Sequence, residues 1–176
     1  RGTQKHKGVP SLSKPLHITG IPAGTVALAV SMVDPDGGDW VHWLAANIPV
    51  MADIPANASI DLAGQMVQGK NSFGFTGYGG PTPPSGTHGY VITVYALAAP
   101  LPLKDGFKQK ALDKALAGTV LAQRRSRAPT AARPCGACGF KTRARRHPGV
   151  AARRRRGASA AQRHCGALAP RSYAIT

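Results

Sequence analysis

Apolar and polar positions alternate at period two along three stretches of the chain, and each stretch predicts a β-strand. Over residues 90–97, Tyr90, Ile92, Val94 and Ala96 share one face while Val91, Thr93, Tyr95 and Leu97 share the other. Residues 26–33 put Leu28, Val30 and Met32 opposite Ala27, Ala29, Ser31 and Val33. Both faces of each are apolar enough to be covered, as in a sheet packed on two sides. The third stretch, 40–48, sets Trp40, His42, Leu44 and Ala46 against Val41, Trp43, Ala45 and Asn47, and Pro49 closes it. Shorter strands are predicted within 14–19 and 65–68, a turn over 21–25, a loop over 1–13 and a meander over 51–67. The period changes after Pro100. Phe107, Ala111, Leu112, Ala115, Leu116 and Val120 recur at helical spacing, which predicts a helix from Phe107 to about Gln123 with Asp105 as its cap. Gly118 weakens that helix by roughly 1 kcal/mol relative to alanine.

The joints between strands carry the chemistry. Strand 26–33 runs into DPDGGD at residues 34–39, where three carboxylates crowd together, and strand 40–48 begins at once with two tryptophans and a histidine. The last strand is preceded by NSFGFTGYGGPTPPSGTHGY, a loop that glycines allow to turn sharply and that Pro81, Pro83 and Pro84 stiffen. His88 has the parity of Tyr90. If the two histidine-bearing strands are neighbours, then Asp34, Asp36, Trp40, His42, His88 and Tyr90 ring one site beside the loop of residues 80–86. Imidazoles and free loop amides would receive an anion there, and the carboxylates an amine or hydroxyl. Two His and two Asp also make a ligand count for a metal, without an HxH or HExxH signature. A hydrolase using His42 or His88 as general base is a further alternative, although Ser85 does not stand in a GxSxG elbow. In the plainest alternative, Asp34 and Asp36 satisfy turn amides and both histidines are ordinary.

Charge divides the chain in two. The net charge is +16 over 176 residues, but residues 1–123 hold nine basic side chains against seven aspartates, while residues 124–176 hold thirteen arginines, Lys141 and no acid. At 176 residues the chain is long enough for one domain with a core, and two compact domains would be crowded; the first part reads as that nearly neutral body. The second is Arg/Ala/Pro/Gly-rich and predicts disorder. An arginine tail that binds nucleic acid or anionic membrane would account for it, and so would a reading-frame change in a GC-rich gene, the favoured explanation. Cys135-x-x-Cys138 with His147, His164 and Cys165 offers only a weak zinc pattern. No apolar run of about 18 residues predicts a membrane span. Residue 1 is Arg and no targeting segment is visible, so the compartment stays open, cytoplasmic favoured and periplasmic if a signal was removed.

DPD at 34–36, WVHW at 40–43 and YGGPTPPSGTHGYVITVYAL at 78–97, with GIPAGT at 20–25 and VQGKNSFG at 67–74, resemble the phosphatidylethanolamine-binding protein family in its bacterial and archaeal Raf kinase inhibitor-like branch. The resemblance implies a mostly β fold, an antiparallel β-sandwich with one or two peripheral helices, followed here by the basic tail. It implies a domain over 1–123, incomplete at both ends, and a tail over 124–176. It also implies non-enzymatic binding of a small anion or phospholipid headgroup without a cofactor or metal, and a regulatory or inhibitor role toward kinases or other proteins. Nucleic acid is a partner only if the tail is genuine. By motif, the ligand-binding set is Asp34, Asp36, Trp40, His42, Gly80, Pro81, Pro84, His88 and Tyr90. The chain departs from the family in three ways. Many members have arginine where Gly89 stands, so a cation beside Asp36 is expected to be missing. The opening segment is mostly absent, and the sequence after Gln123 turns foreign.

Overall fold

The computed structural model describes residues 5–131 and 174–175. Its centre is a five-stranded antiparallel sheet ordered β7-β5-β4-β8-β9, from β4 (Ala27–Asp34), β5 (Trp40–Ile48), β7 (Val67–Gln68), β8 (Thr87–Leu97) and β9 (Val120–Ala131). A smaller sheet, ordered β10-β3-β6, joins β3 (Leu16–Thr19) to β6 (Asp53–Ile54) and to the backbone of β10 (Ala174–Ile175). Leu16, Ile18 and Ile54 of the small sheet pack on Leu28, Val30, Met32, Val94 and Ala96 of the large one. Helix α2 (Gln109–Leu116) covers the opposite face, where Leu112 and Leu116 meet Ala27, Ala29, Leu44 and Leu97. The expected double covering of the alternating strands is therefore real. The fold is a β-sandwich with, among the described residues, two α-helices, α2 and the single turn α1 (Ala58–Asp61).

Strand β5 departs from strict alternation, and the departure matters. Met32 pairs with Trp43 and Val33 with Val41, so His42 is an extra residue opposite β4. Such a bulge re-aims side chains. Trp43 and Ala45 join the core between the sheets while Leu44 and Ala46 join the helix side, opposite to the parity that would carry His42 along with Leu44. A second register shift lies between the pairs Leu28–Ile48 and Val30–Ala45, with Asn47 at φ 58°. Period-two reading cannot register an inserted residue.

Three other expectations need correction. The helix ends at Leu116 rather than near Gln123, because Gly118 takes φ 76° and turns the chain back along β8, where backbone pairing replaces helical bonds from Val120 onward. Asp105 does not cap it: its carboxylate accepts the Gln68 N–H at 2.8 Å, and Lys108 stands at the N-cap without a side-chain bond. The predicted opening loop contains a hairpin of β1 (Lys5–His6) and β2 (Val9–Pro10), turned by Lys7 at φ 48° and Gly8 at φ 80°. The 51–67 meander holds β6, α1 and a 3-10 turn, Ala63–Gln65.

The tail boundary also moves. Residues 124–131 are strand, not disorder: β9 pairs with β8 from Leu97–Val120 to Thr87–Ala131. A ladder is made by backbone groups, so an arginine-rich segment joins it provided its charged side chains stay in water. Ala122, Ser126 and Thr130 are its partly buried positions, and Arg124, Arg125 and Arg127 are exposed. The remaining basic residues up to 173, with Cys135, Cys138, His147, His164 and Cys165, lie outside the described residues. Among the described residues no helix is long and apolar enough to cross a membrane.

Candidate ligand-binding site

At one end of the sandwich, Asp34, Gly37, Trp40, His42, Phe73, Thr82, Pro84, His88 and Tyr90 line a cleft of about 320 Å3. The histidine strands β5 and β8 are not neighbours as expected, because β4 runs between them. The bulge in β5 and the even parity of β8 nonetheless turn both imidazoles to the same cleft. Six of the nine positions singled out by motif are in its wall: Asp34, Trp40, His42, Pro84, His88 and Tyr90.

The two imidazoles are held by the same nitrogen but by different partners. His42 is 2 % exposed, and its Nδ1 donates to the Gly79 carbonyl at 2.7 Å while Gly79 N–H returns a bond to the His42 carbonyl at 2.8 Å. An amide oxygen only accepts, so the proton sits on Nδ1 and Nε2 is left as the ring's open acceptor. Burial holds the His42 pKa below its ordinary 6.5, against the raising effects of the Gly79 carbonyl and the Asp34 charge. His42 therefore favours the neutral form, in which it meets a guest as an acceptor and not as a cation. His88 Nδ1 faces Asp34 Oδ2 at 2.7 Å, an ion pair when the ring is protonated.

Tyr90 is 2 % exposed, and its hydroxyl is a buried polar atom with no hydrogen bond, Asp34 and the Thr82 backbone being its polar neighbours. Burial, then the Asp34 charge, pushes the phenol up to about 12, so it stays a donor. Phe73 forms an apolar wall, edge-on to Trp40 and to His42 at 5.4 Å each, and the His42 ring stands edge-on to Tyr90 at 5.0 Å. Trp40 is 40 % exposed at the rim.

The remaining predicted positions lie elsewhere. Asp36 points away from the cleft: it accepts the Gly89 N–H at 2.7 Å and the Arg127 guanidinium at 2.8 and 3.1 Å. The Gly89 amide and then Arg127 lower its pKa. The cation expected to be missing for want of an arginine at 89 is thus supplied by β9, from within the supposed tail. Gly80 and Pro81 are not among the lining residues. Gly79 and Gly80 were candidates for free anion-binding amides, but Gly79 N–H is given to His42 and Gly80 N–H to the Pro10 carbonyl at 2.7 Å. Those two donors are therefore consumed within the protein and are not offered to an anion. Among the described residues, no group of three or more His, Cys, Asp or Glu is placed to hold a metal.

Sequence reasoning missed Gly37, Phe73 and Thr82. Phe73 had a signal, an aromatic in a glycine-rich turn, and its position is fixed by tertiary packing: a Cβ on Gly79 would fall 2.5 Å from its ring.

A model of the family described as phosphatidylethanolamine-binding protein matches residues 2–129. The chain belongs to the phosphatidylethanolamine-binding protein family. The matched span runs through most of β9, consistent with the paired strand and not with a boundary at Gln123. The chain is 38 % identical over 136 residues to "Uncharacterized protein YxkA" of Bacillus subtilis, covering 68 % of this chain and 81 % of that one. It is 39 % identical over 118 residues to "UPF0098 protein PH1269" of Pyrococcus horikoshii, covering 62 % of this chain and 60 % of the relative. Among solved structures it resembles a putative phosphatidylethanolamine-binding protein homolog from Chlamydia trachomatis, with TM-score 0.61, 29 % identity and coverage of 68 % and 80 % of the two chains. Escherichia coli YbcL, titled a new member of the mammalian family, gives TM-score 0.59 and 31 % identity over 65 % of this chain and 76 % of its own.

Proposed function

We propose that this phosphatidylethanolamine-binding family member receives a small phosphate-bearing headgroup in the cleft and carries out no reaction on it. The observation that carries the reading is the Tyr90 hydroxyl, buried without a well-aligned hydrogen bond, with only Asp34 and the Thr82 backbone in reach, in a wall it shares with two imidazoles whose Nδ1 atoms are already committed. An orphaned buried donor costs about 1–3 kcal/mol, a cost that a guest oxygen would offset. His88, its Nδ1 held by Asp34, turns its other ring nitrogen to the guest, and His42 Nε2 accepts from a hydroxyl or amine of the same guest. Phe73 and Trp40 cover its carbon atoms. A regulatory role toward a protein partner, which the family resemblance implied, fits a cleft whose rim residue Trp40 is exposed.

The Asp34–His88 pair favours one second reading, since a carboxylate-held imidazole is also the arrangement of a general base acting on water. Calorimetric titration of O-phosphoethanolamine into the parent and His88→Ala, beside an ester and phosphoester hydrolysis panel, separates the two. Weaker binding in His88→Ala with a silent panel supports the binding reading. Equal affinity in both proteins sinks it, and turnover abolished in His88→Ala would replace it with hydrolysis.

A further inference from the structure

Successive residues of β8 are tied to the same turn, one by its side chain and the next by its backbone amide. His88 turns to the cleft and meets Asp34, while the next amide, Gly89 N–H, donates to Asp36. Asp34 caps the 3-10 turn Pro35–Gly37, and Asp36 lies inside it. In that turn Gly37 and Gly38 follow one another, and Gly38 and Asp39 both adopt left-handed backbone angles, φ 72° and 57°. Two of its hydrogen bonds are internal, Gly37 N–H to Asp34 Oδ1 at 3.0 Å and Gly38 N–H to the Pro35 carbonyl at 3.3 Å. The Asp36 carboxylate is what ties the middle of the turn to the sheet.

Arg127 completes that tie. It stands opposite Val91 in the ladder, and its guanidinium lies across Gly89, where an added Cβ would come within 2.6 Å of Nη2 and 2.7 Å of Cζ. Only a residue without a side chain leaves the guanidinium that path to both Asp36 oxygens. The two carboxylates thus act in series: Arg127 holds Asp36, Asp36 holds the turn, and the turn's Gly37 amide fixes one oxygen of Asp34, at the end of β4, whose other oxygen faces His88. Gly37 itself lines the cleft.

We propose that Arg127 is a positioning residue for the cleft, fixing through Asp36 and across Gly89 the turn whose Asp34 carboxylate orients His88. Its consequence for ligand affinity rests on the headgroup reading above. Its consequence for the His88 ring does not.

The test uses the full chain, isotopically labelled, as parent, Arg127→Ala, Arg127→Lys, Gly89→Ala and the Gly89→Ala/Arg127→Ala double variant. Gly89→Ala is informative because a methyl there displaces the flexible end of Arg127 without demanding a new backbone conformation. The His88 ring resonances are read without ligand, and inorganic phosphate is then titrated. Arg127→Ala and Gly89→Ala are each expected to shift the His88 ring resonances and to weaken phosphate binding by about 3- to 10-fold, the loss of one charge-assisted contact felt at second hand. The double variant should be no worse than either single one, because both remove the same interaction. Arg127→Lys, which keeps the charge but not the flat fork, should fall between parent and Arg127→Ala. Ring resonances that stay on the parent's in both single variants, even with lowered melting temperatures, overturn the proposal, and so do losses that add in the double variant. If the parent shows no response to phosphate while the ring resonances move as expected, positioning stands and the headgroup reading fails.

Discussion

His88 and Asp34 lie 54 positions apart in the chain and 2.7 Å apart in the fold, a carboxylate oxygen facing the ring Nδ1. The other oxygen of Asp34 accepts the Gly37 amide, so one side chain both shapes the turn and orients an imidazole. Asp34→Asn separates these roles. The amide oxygen can still take the Gly37 N–H, but the amide nitrogen then faces His88 and requires Nδ1 to accept. The ring proton should move to Nε2. Nitrogen-15 spectra of the neutral His88 ring check this, and a ring still protonated on Nδ1 would show that Asp34 does not set the tautomer.

Acid should weaken the fold through His42. Its pKa is lowered in the folded state, so the unfolded chain binds more protons as pH falls through the ordinary value of 6.5. The stabilisation associated with the neutral ring is present above that pH and drains away below it, down to the depressed folded value. His42→Asn keeps a donor near the Gly79 carbonyl and removes the titration. Melting temperatures between pH 7.5 and 5 should fall less steeply in that variant than in the parent, and parallel slopes would contradict the assignment.

Tyr90→Phe sets stability against binding. The hydroxyl makes no well-aligned hydrogen bond to Asp34 or the Thr82 backbone, so removing it should leave stability unchanged or raise it by up to about 1 kcal/mol. Affinity for O-phosphoethanolamine should drop several-fold. Denaturant unfolding and calorimetry read the two effects separately, and a loss of stability with unchanged affinity would make Tyr90 a structural residue only.

Gly79→Ala tests the apolar wall. The added methyl would sit 2.5 and 2.7 Å from two Phe73 ring carbons, so the ring has to move, and Trp40 packs against that ring. Emission from the rim tryptophan should change and phosphate-bearing ligands should bind more weakly, while the His42 carbonyl keeps its bond from residue 79. An unchanged emission spectrum would mean that Phe73 is not confined as described.

The amino-acid sequence alone determined the strands around residues 27–34, 40–48 and 87–97, their double covering and the motif order that places the chain in its family. Those properties are local or periodic, and each residue reports them through its own polarity and shape. It also named Asp34, Trp40, His42, Pro84, His88 and Tyr90, which the fold gathers at one cleft. Only the tertiary structure decided that β4 separates the histidine strands, that an inserted residue in β5 re-aims His42, and that Phe73 closes the wall. It alone showed Asp36 turned to the far side and met by Arg127, from a stretch whose composition reads as solvent-exposed tail. Strand pairing is made by backbone groups that every residue other than proline offers alike, and a cation 91 positions from its carboxylate leaves no mark in local sequence. Composition therefore could not tell where β9 ends.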